Sequence, residues 1–394
     1  MNDECYFYTD EEKQFKEEIR PWFEENIKPL VEPSIRGDYS KVREAIKLMG
    51  DKDLLGAIHD EKYGGVDKGM AWETIICEEG ARINGAIEMT RLVTATLFGT
   101  PIAKFATEEA KNKYLPKIIN GDIIGAIAMT EEVAGSDLAR METRINKDGD
   151  DYIVNGGKRY ITNGGQADVL SIYGVLEDLP GKNPRKKITG LLVESDSPGF
   201  EVLREYELSG MEGASNAELK FTDLRIPAEN LLGKEGQGFY ILLDELNNER
   251  VGMAAACVGH SAAAFDEAIK YSQDRVQFKR PIYNFEGVSF RLADAACKIR
   301  AARLLTLEAA RYIDAENEEA ATQAASMAFA YGTEMEMDAT NTAVRTLAGP
   351  AITDAYGVIS QANRMANVMW TVGGTTDIQK FIIQRELAKR AKTD

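Results

Sequence analysis

Phe239 to Ser272 reads FYILLDELNNERVGMAAACVGHSAAAFDEAIKYS, thirty-four residues without a proline. Leu242, Leu246, Met253 and His260 fall on one stripe at helical spacing, so the stretch predicts a single long helix with one apolar side. Glu249 lies on that stripe, three residues after Leu246 and four before Met253. A carboxylate in such a place is paired with a cation, held neutral by a raised pKa, or used as a base. The next residue, Arg250, offers the cation for the first of these readings.

Around this helix the chain divides into three blocks. Residues 9–122 alternate charged and apolar positions with helical period, as in EEKQFKEEIRPWFEENI, with turn signals at Tyr63-Gly64-Gly65 and Thr100-Pro101. Residues 123–233 shift to Gly-rich pairs and alternating apolar positions. Asp151–Gly156 reads as a strand ending in a turn, and 187–193 and 217–221 as further strands. Residues 234–394 return to alanine-rich helical period, as in VSFRLADAACKIRAARLLTLEAARYI, which suits long bundle helices. The expected fold is α+β: an N-terminal helical domain (1–122), a central β domain (123–233) and a C-terminal helical bundle (234–394).

Composition narrows the function. A length of 394 residues with 44% hydrophobic content supports a sizeable core. A net charge of −17 argues against a nucleic-acid partner. Cys5, Cys77, Cys257 and Cys297 are far apart and lack metal-site or CxxC spacing, so they read as reduced thiols. Two histidines, His59 and His260, make a histidine-rich metal site or a histidine triad improbable, and no metal is expected. The acidic N-terminus reads as neither a signal nor a transit sequence, and no apolar run is long enough to span a membrane. The expectation is a soluble, cytoplasmic protein.

Five motifs, in order along the chain, carry a family resemblance. Ala128-Met129-Thr130-Glu131-Glu132-Val133-Ala134-Gly135-Ser136-Asp137 resembles the AMTEPxAGSD signature of the acyl-CoA dehydrogenases. Lys158–Gly165, KRYITNGG, resembles their K-x-aromatic-I-T-N-G segment. Phe221–Pro227 followed by Asn230–Gly233 resembles F-x-D-V-x-V-P…N-L-L-G, Arg275–Phe278 resembles R-x-x-F, and Gly373–Gln379 resembles the E-G-T-x-x-I-Q ending.

The resemblance implies an acyl-CoA dehydrogenase-like fold and a noncovalent FAD. It implies oxidation of an acyl-CoA thioester at Cα–Cβ to an enoyl-CoA, or the reverse reduction. It further implies a homotetramer that exchanges electrons with an electron-transferring flavoprotein. It assigns Met129, Thr130 and Ser136 to the flavin edge and diphosphate, Tyr160 to the face of the ring and Thr162 to N5, the hydride acceptor. Arg275, Gln277 and Phe278 would reach a neighbouring subunit's FAD, with Arg345, Gly349, Thr375 and Asp377 completing the cofactor set. Ser136, Asn247, Asn248, Arg250 and Gly374 would contact substrate.

Departures from the family pattern matter as much. Gly373 stands where the commoner pattern carries the catalytic glutamate. Glu249-Arg250, with small residues at Gly373-Gly374, resembles the isovaleryl-CoA and long-chain arrangement, in which the base sits on the long helix. Glu249 would then take the α-proton, while the Gly373 backbone N–H and a flavin ribityl hydroxyl polarise the thioester carbonyl. Asn247-Asn248 before Glu249-Arg250 also resembles the N-N-x-R run of glutaryl-CoA dehydrogenases, which leaves the acyl group open. Arg345 replaces a usual Gln and Glu286 another, a candidate swapped pair. Arg91 lies where relatives line the acyl pocket; it meets a polar or anionic tail or points outward, and outward is the expectation. The rival readings are a flavin oxidase or oxygenase on the same fold, and a non-catalytic acyl-CoA-binding protein.

Overall fold

The computed structural model describes residues 7–391. Seven helices come first: α1 (Asp10–Asn26), α2 (Lys28–Ile35), α3 (Tyr39–Asp51), α4 (Met70–Ile83), α5 (Gly85–Leu92), α6 (Gly99–Phe105) and α7 (Glu108–Ile119). Their starts follow local chemistry. Thr9 and Glu12 form a reciprocal capping box at α1, and Asp38, Asn84 and Thr107 cap α3, α5 and α7 with side-chain oxygens. Thr100-Pro101 is not the expected turn. It lies inside α6, directly after a wide π-helical segment, Val93–Phe98, that joins α5 to α6. A proline has no N–H to place in the ladder, and the widened turn before it accommodates the ring.

Strands β1 (Gly125–Ala128), β2 (Arg144–Asp148), β3 (Asp151–Thr162), β4 (Val169–Leu176), β5 (Ile188–Glu194), β6 (Phe200–Glu205), β7 (Asn216–Pro227) and β8 (Leu231–Leu232) follow. They form one sheet in the order β6-β7-β3-β2-β4-β5-β8, with β1 parallel to β4. Asn155-Gly156 does not end a strand, as the sequence suggests. The register against β7 shifts there, a bulge within a strand that continues to Thr162. That continuation carries Tyr160 and Thr162 to the end of the sheet that meets the helices.

Helices α8 (Gly238–Asp274), α9 (Glu286–Asp314), α10 (Glu318–Leu347), α11 (Gly357–Met369) and α12 (Thr376–Arg390) complete the chain. A small hairpin of β9 (Val276–Gln277) and β10 (Arg280–Pro281) sits between α8 and α9. The expected long helix is α8, and it packs against α4, α9, α10 and α11. Its middle, Val251–Ala262, is buried throughout. Small residues allow this: a β-carbon on Gly259 would stand 2.3 Å from the Glu78 carbonyl oxygen of α4, so the two backbones touch. No described helix is long and apolar enough to cross a membrane.

Candidate active site

Glu249 projects from the fourth turn of α8 with 6% of its surface exposed. No ion pair joins it to Arg250. That guanidinium turns instead to Asn247, Nη1 donating to Oδ1 at 3.2 Å, and Asn247 donates to Thr322 Oγ1 at 3.1 Å. Glu249 Oε2 has no hydrogen-bond partner among the described residues. Burial pushes its carboxyl up to about 7, and nearby Arg250 only partly opposes the rise.

The loop before α12 closes on the same space. Gly373 and Gly374 adopt φ of +60° and +80°, a region that favours glycine. A β-carbon on Gly373 would stand 3.4 Å from Glu249 Oε1 and 2.8 Å from Met253 Sδ. Gln379 fixes the loop: its Nε2 donates to the Gly373 carbonyl at 3.2 Å and the Gly374 carbonyl at 2.7 Å. Thr375 caps α12 by accepting from Ile378 N, and Asp377 is exposed in its first turn. The Gly373 N–H has no acceptor among the described residues and so remains available to a ligand oxygen.

The sheet carries the residues that the family resemblance assigns to the flavin. Glu131 is the anchor of the Met129–Ser136 loop. Lys158, with a fully buried side chain, donates to Glu131 Oε1 at 2.6 Å, and Thr143 N donates at 3.1 Å. Burial alone would raise the Glu131 carboxyl, but Lys158 and these N–H donors outweigh it and hold it below the ordinary range. Asn163, at φ +67° and fully buried, donates to the Gly125 carbonyl at 2.9 Å and the Thr90 carbonyl at 3.2 Å. It thereby locks the end of β3 onto β1 and α5. Thr162 stands half-buried beside it, and Tyr160 leaves 52% of its surface exposed, its ring tilted at 34° to that of Tyr206 with centroids 4.7 Å apart. An aromatic side chain at Tyr160, hydroxyls at Thr130, Ser136 and Thr162 and the Gly-containing loop anchored by Glu131 are chemically compatible with a flavin dinucleotide.

Not every predicted residue gathers here. Arg275, Gln277 and Phe278 are exposed on the β9–β10 hairpin, past the far end of α8. At 1.5 Å per residue they lie roughly 40 Å along the helix from Glu249. Arg345 and Gly349 are exposed at the C-terminal end of α10, and Arg345 makes no ion pair with the exposed Glu286 in the single chain. Arg91 does not point outward: it is fully buried. Its Nη2 donates to Glu73 Oε1 and Glu88 Oε1, both at 2.7 Å, and Nη1 donates to the Leu54 carbonyl. Two buried carboxylates draw the guanidinium inward.

Sequence reasoning missed a basic cavity of about 460 Å³ lined by Arg140, Arg144, Lys182 and Lys187, with Glu142 and Glu177. It opens beside the turn that follows Ser136. The run KNPRKK at 182–187 was its signal. Gln379 and Asn163 lay inside quoted motifs, but their work as loop fasteners becomes visible only in three dimensions.

Three family models match nearly end to end: "Acyl-CoA dehydrogenase, N-terminal domain" over residues 9–122, the middle domain over 126–224 and the C-terminal domain over 236–388. An acyl-CoA dehydrogenase of Bacillus subtilis (strain 168) is 35% identical over 380 residues, covering 96% of this chain and 98% of the relative. The mitochondrial isovaleryl-CoA dehydrogenase of Oryza sativa subsp. japonica is 31% identical, covering 97% and 92%. Among solved structures, butyryl-CoA dehydrogenase from Megasphaera elsdenii is similar with a TM-score of 0.90 at 31% identity, covering 98% of this chain and all of that one. An acyl-CoA dehydrogenase complexed with FAD from Bacillus anthracis is similar with a TM-score of 0.92 at 25% identity, covering 98% of this chain and 69% of that one.

Proposed function

The chain belongs to the acyl-CoA dehydrogenase family of FAD-dependent oxidoreductases, and from that premise we propose that it abstracts the α-proton of an acyl-CoA thioester with Glu249. The observation that carries this reading is the meeting of Glu249 Oε1 with the space in front of Gly373. A base on α8 there serves the position that a side chain on the Gly373 loop would otherwise fill. Its carboxyl, raised to about 7 by burial, is matched to proton abstraction at neutral pH. The free Gly373 N–H would donate to the thioester carbonyl and stabilise the charge that develops on its oxygen. Met129, Thr130, Ser136, Tyr160 and Thr162 would hold FAD, which when bound would supply the acceptor for the β-hydride.

Asn247, Asn248 and Arg250, with Ser136 and Gly374, would hold the pantetheine arm. The basic cavity at Arg140, Arg144, Lys182 and Lys187 suits the phosphates of coenzyme A. The distant hairpin supports an oligomer: Arg275, Gln277 and Phe278, with Arg345 and Gly349, would complete a neighbour's FAD site in a homotetramer. An electron-transferring flavoprotein would exchange the electrons, and its potential would decide between acyl-CoA oxidation and enoyl-CoA reduction. Among the described residues Cys77, Cys257 and Cys297 form no disulfide, which suits a reducing, cytoplasmic compartment; Cys5 lies outside the described residues.

The test is an anaerobic panel of acyl- and enoyl-CoAs. Acyl-CoAs should bleach the bound FAD, or enoyl-CoAs should reoxidise it. A yellow, folded protein whose flavin answers to neither class would overturn the reading.

A further inference from the structure

Glu245 lies one turn before Glu249 on α8. It is 2% exposed, and neither of its carboxyl oxygens has a hydrogen-bond partner. Glu249 Oε2 is equally unpartnered. Side chains four apart share a helix face, with β-carbons about 5–6 Å apart. Burying one unpaired carboxylate is costly, and two this close do not both ionise.

The surroundings decide which of them keeps a proton. From α6, Lys104 is the cation nearest in effect to Glu245, but its Nζ is taken by Asp244 Oδ2 at 2.8 Å near the surface. From β4, Tyr173 brings a buried hydroxyl that also lacks a partner and carries no charge at neutral pH. Asp244 and Glu249 themselves add negative charge. Glu249, by contrast, has Arg250 beside it. Burial pushes Glu245 well above the usual carboxylate range, whereas Glu249 rises only to about 7.

We propose that Glu245 and Glu249 act as a dyad with one shared negative charge, in which Glu245 keeps its proton and positions Glu249 as the base. A protonated Glu245 is a donor, and the orphaned Glu249 Oε2 is an acceptor one turn away. A bond between them, direct or through one water, would occupy Oε2 and leave Oε1 to face the Gly373 side. It would also favour the charged form of Glu249, keeping its basicity from drifting above the working range. This inference rests on Glu249 being the base.

The experiment compares Glu245→Gln, Glu245→Leu and Glu249→Gln as FAD-loaded enzymes with one acyl-CoA that bleaches the native flavin. Glu245→Gln keeps a donor and should leave the acidic limb of the bleaching rate near its native pH. Glu245→Leu removes the donor and should move that limb up by about one unit, which lowers the ionised fraction of the base at neutral pH roughly fivefold. Infrared difference spectra of the native enzyme at neutral pH should show a protonated carboxyl stretch that Glu245→Gln lacks. This readout does not depend on turnover or on the leucine variant folding. An unmoved limb in folded Glu245→Leu would overturn the dyad, as would a limb that falls in Glu245→Gln, or a missing infrared band. A Glu249→Gln enzyme that bleaches at the native rate would instead remove the base assignment itself.

Discussion

Glu249 on α8 and Gly373 before α12 converge on one space from opposite directions: the first fills it with a carboxylate, and the second leaves it open. The 3.4 Å between Glu249 Oε1 and a β-carbon on Gly373 puts both backbone positions within reach of the same space.

Removing the carboxylate while keeping its shape tests the chemistry. Glu249→Gln should retain FAD and bind acyl-CoA, but lose at least about a hundredfold in the rate of flavin bleaching, the usual scale of a general-base effect. The native rate should fall as pH drops below about 7, because the base must be ionised and its carboxyl is raised to that value. Stopped-flow bleaching across pH checks both, and a variant at the native rate places the base elsewhere.

Moving the base to the other support should succeed only with help. Glu249→Gly with Gly373→Glu puts a side chain at φ +60°, a strain of about 1–2 kcal/mol for a residue other than glycine. Its β-carbon would also press on Met253 Sδ at 2.8 Å. The double variant should therefore recover little bleaching, and adding Met253→Ala should recover more. Equal rates in the two would show that Met253 is not the obstacle.

These relationships were unevenly legible in the chain. Glu249 stood out because a helix of period 3.6 places it on an apolar stripe, and α8 follows that period. Glu245 shares that face, three residues after Leu242 and four before Glu249, but its pairing with Asp244 disguises it as part of a solvated acidic run. Arg91 was misjudged for a related reason. A guanidinium carries no local sign of being buried, and its acceptor Glu73 comes from another helix, eighteen positions upstream. Gln379 sat in plain view within a motif, yet a side chain that fastens the loop behind it has no periodic signature. Thr100-Pro101 read as a turn because a π-helical segment leaves no mark in a helical-period scan.

The exposed apolar residues of the C-terminal region should be covered by other subunits. Phe278 is 87% exposed, Ile352 76%, Phe290 65% and Phe381 59%, and covering such side chains on association would be favourable. Light scattering of the native protein should give about four times the 43.5 kDa chain mass. Phe278→Asp should lower both the mass and the FAD content. A native monomer that holds FAD and bleaches with substrate would refute the assembly.

The buried cluster around Arg91 makes stability depend on pH in a direction that can be worked out. One cation faces two carboxylates, Glu73 and Glu88, so the full set carries a surplus negative charge. Burial pushes Glu88 from an ordinary 4.5 up to about 7 despite Arg91. Between those values the folded state holds a proton that the unfolded state has released. Stability therefore falls as pH rises through this window, by on the order of 3 kcal/mol once Glu88 is ionised in both states. Glu88→Gln leaves a balanced Arg91–Glu73 pair and an acceptor for Arg91. It should melt above the native protein at about pH 8, with the advantage fading toward pH 5 as the native Glu88 takes up its proton. Arg91→Met does the opposite: it strands two buried carboxylates and should cost about 3–5 kcal/mol at neutral pH. Thermal melts of the three proteins across pH decide the matter, and a Glu88→Gln variant that melts below the native protein at about pH 8 would show that the bonds from Arg91 to Glu88 outweigh the burial of its charge.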